Sequence, residues 1–187
     1  MKATIENYWD YHRVIMDIVH GCAFESFLEL GIGTGMLAGS LRQHCTNLKT
    51  ITGVDILVGD LPPEGVEWIR EKRTDVFFKE DDRTWDCIFV DADHSSPQAL
   101  RDVINSLKVL NDDGLLFMHD TYPPNVESVV PSLCGDVFKA YLELVERPDL
   151  EVLTLPLFNG LTLVRRVDKR RIWTFEASNR VGSSDVH

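Results

Sequence analysis

Short apolar runs alternate with amphipathic stretches along most of the chain. Five runs have the length and composition of strands, four of them apolar enough to be buried and one weaker: 24–30, 50–56, 66–70, 87–90 and 115–118. Three stretches repeat apolar residues at helical spacing: 8–20, 36–44 and 95–110. Ser95-Ser96-Pro97 begins the last of these helices, with a serine as the expected N-cap. This alternation predicts a parallel sheet with helices on both faces.

The C-terminal third of the chain has a different pattern. Residues 136–146 predict a helix, and 151–157 and 161–165 predict two strands. Asn159-Gly160 lies between the two strands and is typical of a tight hairpin. We therefore expect a single domain over residues 1–175 that ends with an antiparallel hairpin. Residues 176–187 show no periodicity and are predicted to form a loose tail.

Charge and composition argue against several classes of partner, although they leave room for a local basic patch. The formal net charge is -11, which argues against nucleic acid as the main partner and disfavours anionic membranes. No apolar run approaches the roughly 20 residues of a membrane span, and the first ten residues lack a secretory apolar region. The four cysteines have no metal or redox spacing. We expect a cytoplasmic protein with reduced thiols that acts on a small molecule.

Glycines and acidic residues follow the predicted strands. Gly31, Gly33 and Gly35 come after the first strand. The ends of the next four strands carry Asp55, Asp75, Asp91 and Asp120. Ligands of open α/β sheets bind beyond the carboxyl ends of the strands, so these side chains are expected to converge on one crevice. Any one of the carboxylates, taken alone, has the alternative of a solvated loop position.

The glycine turn is compatible with two cofactors. Residues 33–38 fit the G-x-G-x-x-A pattern, and Asp55 suits a carboxylate that binds ribose hydroxyls, as in both NAD and S-adenosylmethionine (SAM) sites. Glu29 and Asp91 make the crevice acidic, which would repel the pyrophosphate of NAD and attract the sulfonium and ammonium of SAM. SAM is favoured, and an NAD-dependent oxidoreductase remains the lesser alternative.

Several stretches resemble a known family. FLELGIGTG (27–35) is similar to motif I of class I methyltransferases, and WDCIFVDADH (85–94) and HDTYPP (119–124) resemble the methyltransferase 24 type, small-molecule O-methyltransferases with a DxxH…HD pattern. The resemblance covers residues 24–166. It implies a Rossmann-like, doubly wound seven-stranded sheet of order 3-2-1-4-5-7-6 and a SAM-dependent methyltransferase.

The resemblance also implies roles for individual residues. The methionine part of SAM would contact Glu29, Gly31, Gly33 and Gly35, with Asp91 near it. Asp55 would hold the ribose, and Asp75 would lie beside the adenine amine.

A divalent cation is the second cofactor that the resemblance implies. In related metal-dependent enzymes, an Asp after strand four and an acidic pair after strand five bind the cation, and Asp91 and Asp120 match those positions. Two carboxylates suit Mg²⁺. His119 stands where such enzymes often have a carboxylate. It therefore leaves open a softer metal or none, and its own alternatives are a hydrogen-bonded strand end or a substrate contact.

His94 is the candidate catalytic base. In similar macrolide-sugar enzymes a histidine at this place takes the proton of the acceptor hydroxyl, which suits an ordinary pKa of about 6.5. Its alternatives are to cap the next helix or to orient Asp91. The remaining histidines are predicted at the surface: His12, His20, His44 and His187.

These predictions combine into one hypothesis of function. The chain would transfer the methyl group of SAM to a hydroxyl of a small molecule, such as a sugar or another polyhydroxy metabolite, with help from a divalent cation. The alternative is a SAM-binding domain with little or no catalysis that acts as a sensor or subunit.

Overall fold

A computed structural model describes residues 10–57 and 62–167. The predicted tail at 176–187 lies outside the described residues. The helices are α1 (Asp10–Gly21), α2 (Met36–His44), α3 (Thr74–Glu80), α4 (Ser96–Val109) and α5 (Val137–Val145). The strands are β1 (Ser26–Leu30), β2 (Thr50–Val54), β3 (Glu67–Ile69), β4 (Trp85–Val90), β5 (Leu110–His119), β6 (Leu150–Leu155) and β7 (Leu161–Arg166).

The strands form one seven-stranded sheet. Its order is β3-β2-β1-β4-β5-β7-β6, which confirms the predicted Rossmann-like topology. The strands from β3 across to β5 pair in parallel, whereas β7 pairs antiparallel with both β5 and β6. The carboxyl ends of β1, β2, β4 and β5 therefore meet at one edge of the sheet.

Apolar side chains cover both faces of the sheet. On one face, α3, α4 and α5 pack over strand residues such as Leu28 and Ile88. On the other face, α1 and α2 pack over residues such as Phe27 and Phe89. Successive strand residues point to opposite faces, so β1 and β4 are buried on both sides. This double coverage explains why the two strands read as continuous apolar runs.

Three local features differ from the expectations. The sequence analysis assigned no helix at Thr74–Glu80, because a helix of 7 residues is too short to show an amphipathic period. Strand β5 begins at Leu110, directly after α4, and not at 115. The hairpin loop spans 156–160 and is longer than an Asn-Gly turn, with Asn159 at φ 59° and Gly160 at φ 95°.

The start of α4 is capped from another element. Ser95 makes no capping hydrogen bond with its side chain, contrary to the expectation of a serine cap. The Ser96 amide instead donates to the carboxylate of Asp136, at 2.6 Å. Asp136 immediately precedes α5, so this cap ties the ends of two helices together on the side of the sheet where the strands end.

No helix among the described residues is long and apolar enough to cross a membrane. All four cysteines are unpaired; Cys22 is exposed and the other three are buried.

Candidate active site

The turn after β1 depends on glycine for a close approach of two backbones. Gly31 has φ +86°, and a Cβ built on it would lie 2.1 Å from the backbone oxygen of Asp91. The Asp91 amide in turn donates to the Leu30 carbonyl at 2.9 Å. Gly33, at φ +55°, has open space where its Cβ would stand. The turn thus brings the ends of β1 and β4 together and leaves room for a ligand beside the backbone.

Asp55 holds the loops that follow β1 and β2. One carboxylate oxygen accepts from the Gly33 amide at 2.9 Å, and the other accepts from the Leu57 amide at 2.9 Å. Each oxygen has a second lone pair, so the carboxylate can still accept hydrogen bonds from a ligand.

A cavity of about 340 Å³ opens beside the glycine turn. Its volume falls within the usual range for small-molecule sites. Its lining includes Gly31, Gly33, Asp55 and Asp91, four of the seven residues predicted to bind the cofactor. The remaining lining residues are Val54, Ile56, Leu57, Lys72, Arg73, Thr74, Ala92, Asp93 and Gln98.

Gly35 and Asp75 do not line this cavity. Gly35 is the N-cap of α2, in a left-handed conformation, and its Cα faces the ring of Pro63. Asp75 lies in the first turn of α3 rather than at a strand end, and its carboxylate accepts from Arg73 Nε at 3.0 Å. The hydrogen bond from Arg73 lowers the pKa of Asp75. The structure places Asp75 at a neighbouring cavity on the outer side of α3.

Glu29 is the third predicted cofactor residue that the cavity does not expose. The residue is only 4% exposed, and its Oε2 has no hydrogen-bond partner in the described part of the chain. Burial and the nearby charge of Asp91 raise the pKa of Glu29 well above its ordinary value. An unpartnered buried carboxylate oxygen next to the glycine turn is a place where a cationic group would be stabilised.

Two carboxylates and a histidine form a cluster beside the cavity. Asp91, His94 and Asp120 each offer a ligand atom, and these atoms all lie within 4.8 Å of one another. His94 Nε2 lies 3.4 Å from Asp120 Oδ2 and 3.7 Å from Asp91 Oδ1. The side chain of His94 therefore faces the carboxylates, and the cap of α4 comes from Asp136 rather than from His94.

In the cluster, burial and the charges of neighbouring side chains shift the pKa values in opposite directions at two of the three residues. Burial raises the pKa of Asp91, but the two neighbouring histidines outweigh it and hold that pKa below its ordinary range. Burial and the charge of Asp91 raise the pKa of Asp120. The close carboxylate of Asp91 and the charge of Asp120 outweigh burial and raise the pKa of His94. The two carboxylates therefore favour a positive charge between them.

His119 lies behind the same two carboxylates. Its Nδ1 is 3.5 Å from Asp91 Oδ1 and 3.5 Å from Asp120 Oδ1, while its Nε2 lies 3.1 Å from the Phe158 carbonyl. A carbonyl oxygen only accepts, so Nε2 carries a proton. The ring contacts the rings of both Tyr11 and Phe158, at centroid distances of 4.4 and 6.0 Å. These contacts fix the ring with Nδ1 toward the carboxylates.

The prediction that His12 is a surface residue is wrong. His12 is 7% exposed, and its ring lies 4.4 Å from that of Tyr11, which stacks on His119. Burial and the charge of His119 lower the pKa of His12 to about 4. His20 and His44 are exposed as predicted, and His187 lies outside the described residues.

The loop after β5 shapes the far side of the cluster. Asp120 has a positive φ of 59°, and Asn159 Nδ2 donates to its Oδ1 at 3.1 Å. In the sequence, Asn159 is recognisable only as a hairpin residue and not as a partner of the site. Cys134 is also buried against Asp120, and burial together with that carboxylate raises the thiol pKa to about 12.

Comparisons with known proteins agree with this arrangement. A family model described as "Methyltransferase domain" matches residues 28–121. This segment includes the glycine turn, the cluster of Asp91, His94 and Asp120, and the neighbouring His119. The search among curated proteins gave no match.

Solved structures with the same fold include three methyltransferases. A SAH-bound methyltransferase of Podospora anserina, PaMTH1, is 20% identical with a TM-score of 0.67, over 90% of this chain and 80% of the other. The O-methyltransferase TomG of Streptomyces achromogenes, in complex with SAM, is 14% identical with a TM-score of 0.63, over 84% and 80%. A Bacillus cereus O-methyltransferase in complex with SAH is 11% identical with a TM-score of 0.63, over 89% and 83%. At these identities the likeness is one of fold.

Proposed function

The chain belongs to the methyltransferase domain family, and with it to the class I SAM-dependent methyltransferases; we propose that it transfers the methyl group of SAM to a hydroxyl of a small molecule. The observation that carries this proposal is the position of Asp91. This residue lines the cavity beside the glycine turn and also belongs to the cluster with His94 and Asp120. A cofactor site and a polar cluster able to activate a hydroxyl therefore share one wall.

The residues beside the glycine turn fit SAM. The cavity offers Asp55 to the ribose hydroxyls, and Asp91 at the turn would repel a pyrophosphate and attract the sulfonium of SAM. Glu29 Oε2 is buried beside the turn and has no partner among the described residues, which suits the ammonium of the methionine part. When bound there, SAM supplies a methyl group activated by its sulfonium.

Asp91 and Asp120 are the residues that would hold a divalent cation. The third donor would be His94, because its ligand atom lies close to those of both carboxylates. The sequence had suggested His119 for this role. His119 supports the same assignment, because its protonated Nε2 leaves Nδ1 directed at two carboxylates. In a neutral ring, the lone pair of Nδ1 would face the negative charges of the two carboxylates. Either a proton on Nδ1 or a cation between Nδ1 and the carboxylates is therefore needed. A cation held there would act as a Lewis acid toward the acceptor oxygen.

His94 has a second role open to it that uses no cation. Its neutral Nε2 would accept the proton of the acceptor hydroxyl, and the imidazolium formed would lie between Asp91 and Asp120, at 3.7 and 3.4 Å. Either way the chain supplies alignment: the acceptor oxygen must lie on the side of Asp91 away from the cofactor turn. A hydroxylated metabolite such as a sugar fits a site rich in hydrogen-bonding groups, and the net charge of -11 disfavours nucleic acid.

The experiment that tests this function has two stages. Isothermal titration with S-adenosylhomocysteine and with NAD would first identify the cofactor; binding of NAD and not of S-adenosylhomocysteine would refute the proposal. Turnover of SAM would then be followed with a panel of hydroxylated acceptors. No turnover with any acceptor, despite tight S-adenosylhomocysteine binding, would favour a SAM-binding domain without catalysis.

Chelation separates the two roles of the cluster. The same turnover assay after exhaustive treatment with EDTA, and after adding back Mg²⁺ or Mn²⁺, would show whether a cation is needed. Full activity without metal assigns the proton transfer to His94, whereas loss and recovery assigns His94 and the carboxylates to the cation.

A further inference from the structure

A second cavity lies on the outer side of α3 and α4 and has a different character from the cofactor cavity. It measures about 650 Å³. Its lining comprises Arg73, Asp75, Phe78, Lys79, Gln98, Arg101, Asn105, Lys108 and Val109. We call this cavity the α3–α4 groove. Four of its residues are cations and one is a carboxylate, although the whole chain has a net charge of -11.

Among the described residues, only one of the four cations forms an ion pair with a carboxylate. Arg73 pairs with Asp75, the single acidic residue of the groove. In the part of the chain that the structure describes, no ion pair involves Lys79, Arg101 or Lys108. An acidic protein that gathers unpaired cations around one concavity creates a local potential that attracts anions.

The cations on α4 are arranged along one face of the helix. Gln98, Arg101, Asn105 and Lys108 follow each other at spacings of three, four and three residues, which places them in one row. At about 1.5 Å per residue, Arg101 and Lys108 are about 10 Å apart along the axis. A ligand with several phosphate groups can contact both side chains at once. Lys79 faces the row from α3.

One of these cations, Arg101, is held in place by another side chain of α4. Arg101 donates from Nε and Nη2 to Gln98 Oε1, at 3.3 and 2.8 Å. The amide of Gln98 in turn donates to the buried carboxylate of Asp102 at 2.8 Å and to Thr74 Oγ1 at 3.2 Å. Because Gln98 is anchored by these bonds, the guanidinium of Arg101 is preorganised over the groove, which reduces the entropy lost on binding.

We propose that the α3–α4 groove is a binding site for a small phosphate-bearing anion, of the organic polyphosphate class. The row of cations would contact the phosphates, and Phe78 and Val109 offer apolar surface to the rest of the ligand. A concave site of this volume fits a small molecule better than the flat contact of an acidic protein. The groove shares Arg73 and Gln98 with the cofactor cavity, so its occupant would lie next to the adenosine end of that cavity.

The test compares two charge-matched double variants of the full chain. Lys79→Gln/Lys108→Gln removes two cations of the groove. Lys49→Gln/Lys139→Gln removes two exposed cations elsewhere, and so changes the net charge equally. Inorganic tripolyphosphate and ATP would be titrated calorimetrically at low salt with saturating S-adenosylhomocysteine, which keeps the glycine turn occupied. We expect the groove variant to lose about tenfold or more in affinity for both probes, and the control to stay within about twofold.

The possible outcomes of the experiment distinguish binding in the groove from other causes of anion binding. Equal losses in both variants would mean general charge attraction and would overturn the proposal. Binding that vanishes when S-adenosylhomocysteine is present would place the anion at the glycine turn and overturn it as well. If neither probe binds wild-type protein at millimolar concentration, but a polyglutamate peptide binds and depends on Lys79 and Lys108, the groove is a docking surface for acidic protein instead. Tighter binding of ATP than of tripolyphosphate assigns a role to Phe78 and Val109; equal binding restricts the site to phosphates.

Discussion

Two carboxylates on one strand show how differently the two edges of the sheet are built. Asp86 lies near the start of β4, and Asp91 lies one residue after its end. Asp86 is surrounded by neutral donors: its Oδ2 accepts from the Glu25 amide, the Ser26 amide and Ser26 Oγ at 2.9, 3.1 and 3.1 Å. Its Oδ1 accepts from Asn111 Nδ2 at 2.7 Å.

The surroundings of Asp91 contain charges instead of neutral donors. Its Oδ1 lies 3.7 Å from His94 Nε2 and 3.5 Å from His119 Nδ1, with the carboxylate of Asp120 next to both rings. At both Asp86 and Asp91, burial acts to raise the pKa of the carboxyl group. The effect of the neighbouring groups is larger, so the pKa of each is lowered. At Asp86 those groups are fixed hydrogen-bond donors, whereas at Asp91 they are two titratable rings.

The difference indicates which of the two carboxylates has a function besides stabilising the fold. Asp86 has its hydrogen bonds complete without a ligand, and it joins the starts of β1, β4 and β5, so it stabilises the fold. Asp91 shares its positive neighbours with Asp120, and the group as a whole favours an added cation or proton. Polar groups that remain incompletely paired after folding are the ones that a ligand can complete.

The largest expected effect comes from changing these two carboxylates in the same way. Asp91→Asn keeps the shape but removes the charge, so we expect turnover to fall by roughly 10³–10⁴-fold, the scale of losing several kcal/mol of charge stabilisation. Asp86→Asn should leave turnover within about threefold, but should lower the free energy of unfolding by about 1–3 kcal/mol, because one amide cannot accept all four hydrogen bonds. Methyl-transfer assays and urea unfolding of both variants measure the two quantities. An Asp91→Asn protein that turns over normally, or an Asp86→Asn protein that is inactive while folded, would break the comparison.

The next effect concerns His94, which lies between Asp91 and Asp120. If it transfers a proton, His94→Ala should lower kcat by roughly 10²–10⁴-fold. SAM affinity should stay near that of the wild type, because His94 does not line the cofactor cavity. His94→Asn is the matched variant, since an amide can orient Asp91 but cannot take the proton. Recovery of near-normal kcat by the Asn variant, with metal saturating, would exclude His94 as the base.

A smaller effect is expected at Asp55, on the cofactor side of Asp91. Asp55→Ala should weaken S-adenosylhomocysteine binding by roughly 1.5–3 kcal/mol, the scale for losing hydrogen bonds to a charged acceptor. Calorimetric titration measures the loss. Asp75→Ala is the control, because Asp75 pairs with Arg73 and does not itself line the cofactor cavity. Equal losses in the two variants would return Asp75 to the cofactor site; no loss at Asp55 would move that site elsewhere.

The sequence pattern was sufficient to predict a parallel sheet with helices on both faces, because buried parallel strands leave continuous apolar runs. The order of the strands was implied by the resemblance to class I methyltransferases and not by these runs. The sequence placed Asp91 and Asp120 at adjacent strand ends, where the structure brings them together. It placed Asp75 after a strand, because a short helix leaves no period to recognise. The burial of His12 could not be predicted, since it depends on how α1 packs over His119, a contact between residues more than a hundred positions apart.

The surroundings of the candidate site were harder to predict for the same reason. Asn159 and Phe158 reach Asp120 and His119 only because β7 pairs with β5. Nothing local in the hairpin sequence shows that pairing. Contacts made within a segment leave a pattern in the sequence, whereas contacts made by strand order do not.

A third buried carboxylate, Asp102 on α4, gives the smallest expected effect and a test of the distinction by pH. Asp102 is fully buried; its Oδ1 accepts from Thr74 Oγ1 at 2.6 Å and from Gln98 Nε2 at 2.8 Å, but its Oδ2 has no partner within the described chain. Burial outweighs these two bonds and raises its pKa from 3.8 to about 6. The folded protein therefore binds this proton more tightly than the unfolded chain does. The resulting stability is present below about pH 4 and is lost as the pH rises through about 6.

Asp102→Asn should remove this dependence, because the amide keeps the accepting oxygen and carries no charge. Compared with the wild type, its free energy of unfolding should gain about 1–2 kcal/mol between pH 4.5 and pH 7.5. Asp86→Asn is the matched control: the pKa of Asp86 is lowered, so its stabilising effect is lost only as the pH falls below the ordinary value of 3.8. Its deficit should therefore be nearly the same at pH 4.5 and pH 7.5. Urea unfolding of the three proteins at both pH values measures the difference. The free energies of unfolding of Asp102→Asn and Asp86→Asn could instead change equally between the two pH values. The complete set of donors around Asp86 and the incomplete set around Asp102 would then be equivalent. In that case completeness of hydrogen bonding would not separate structural from ligand-binding carboxylates in this protein.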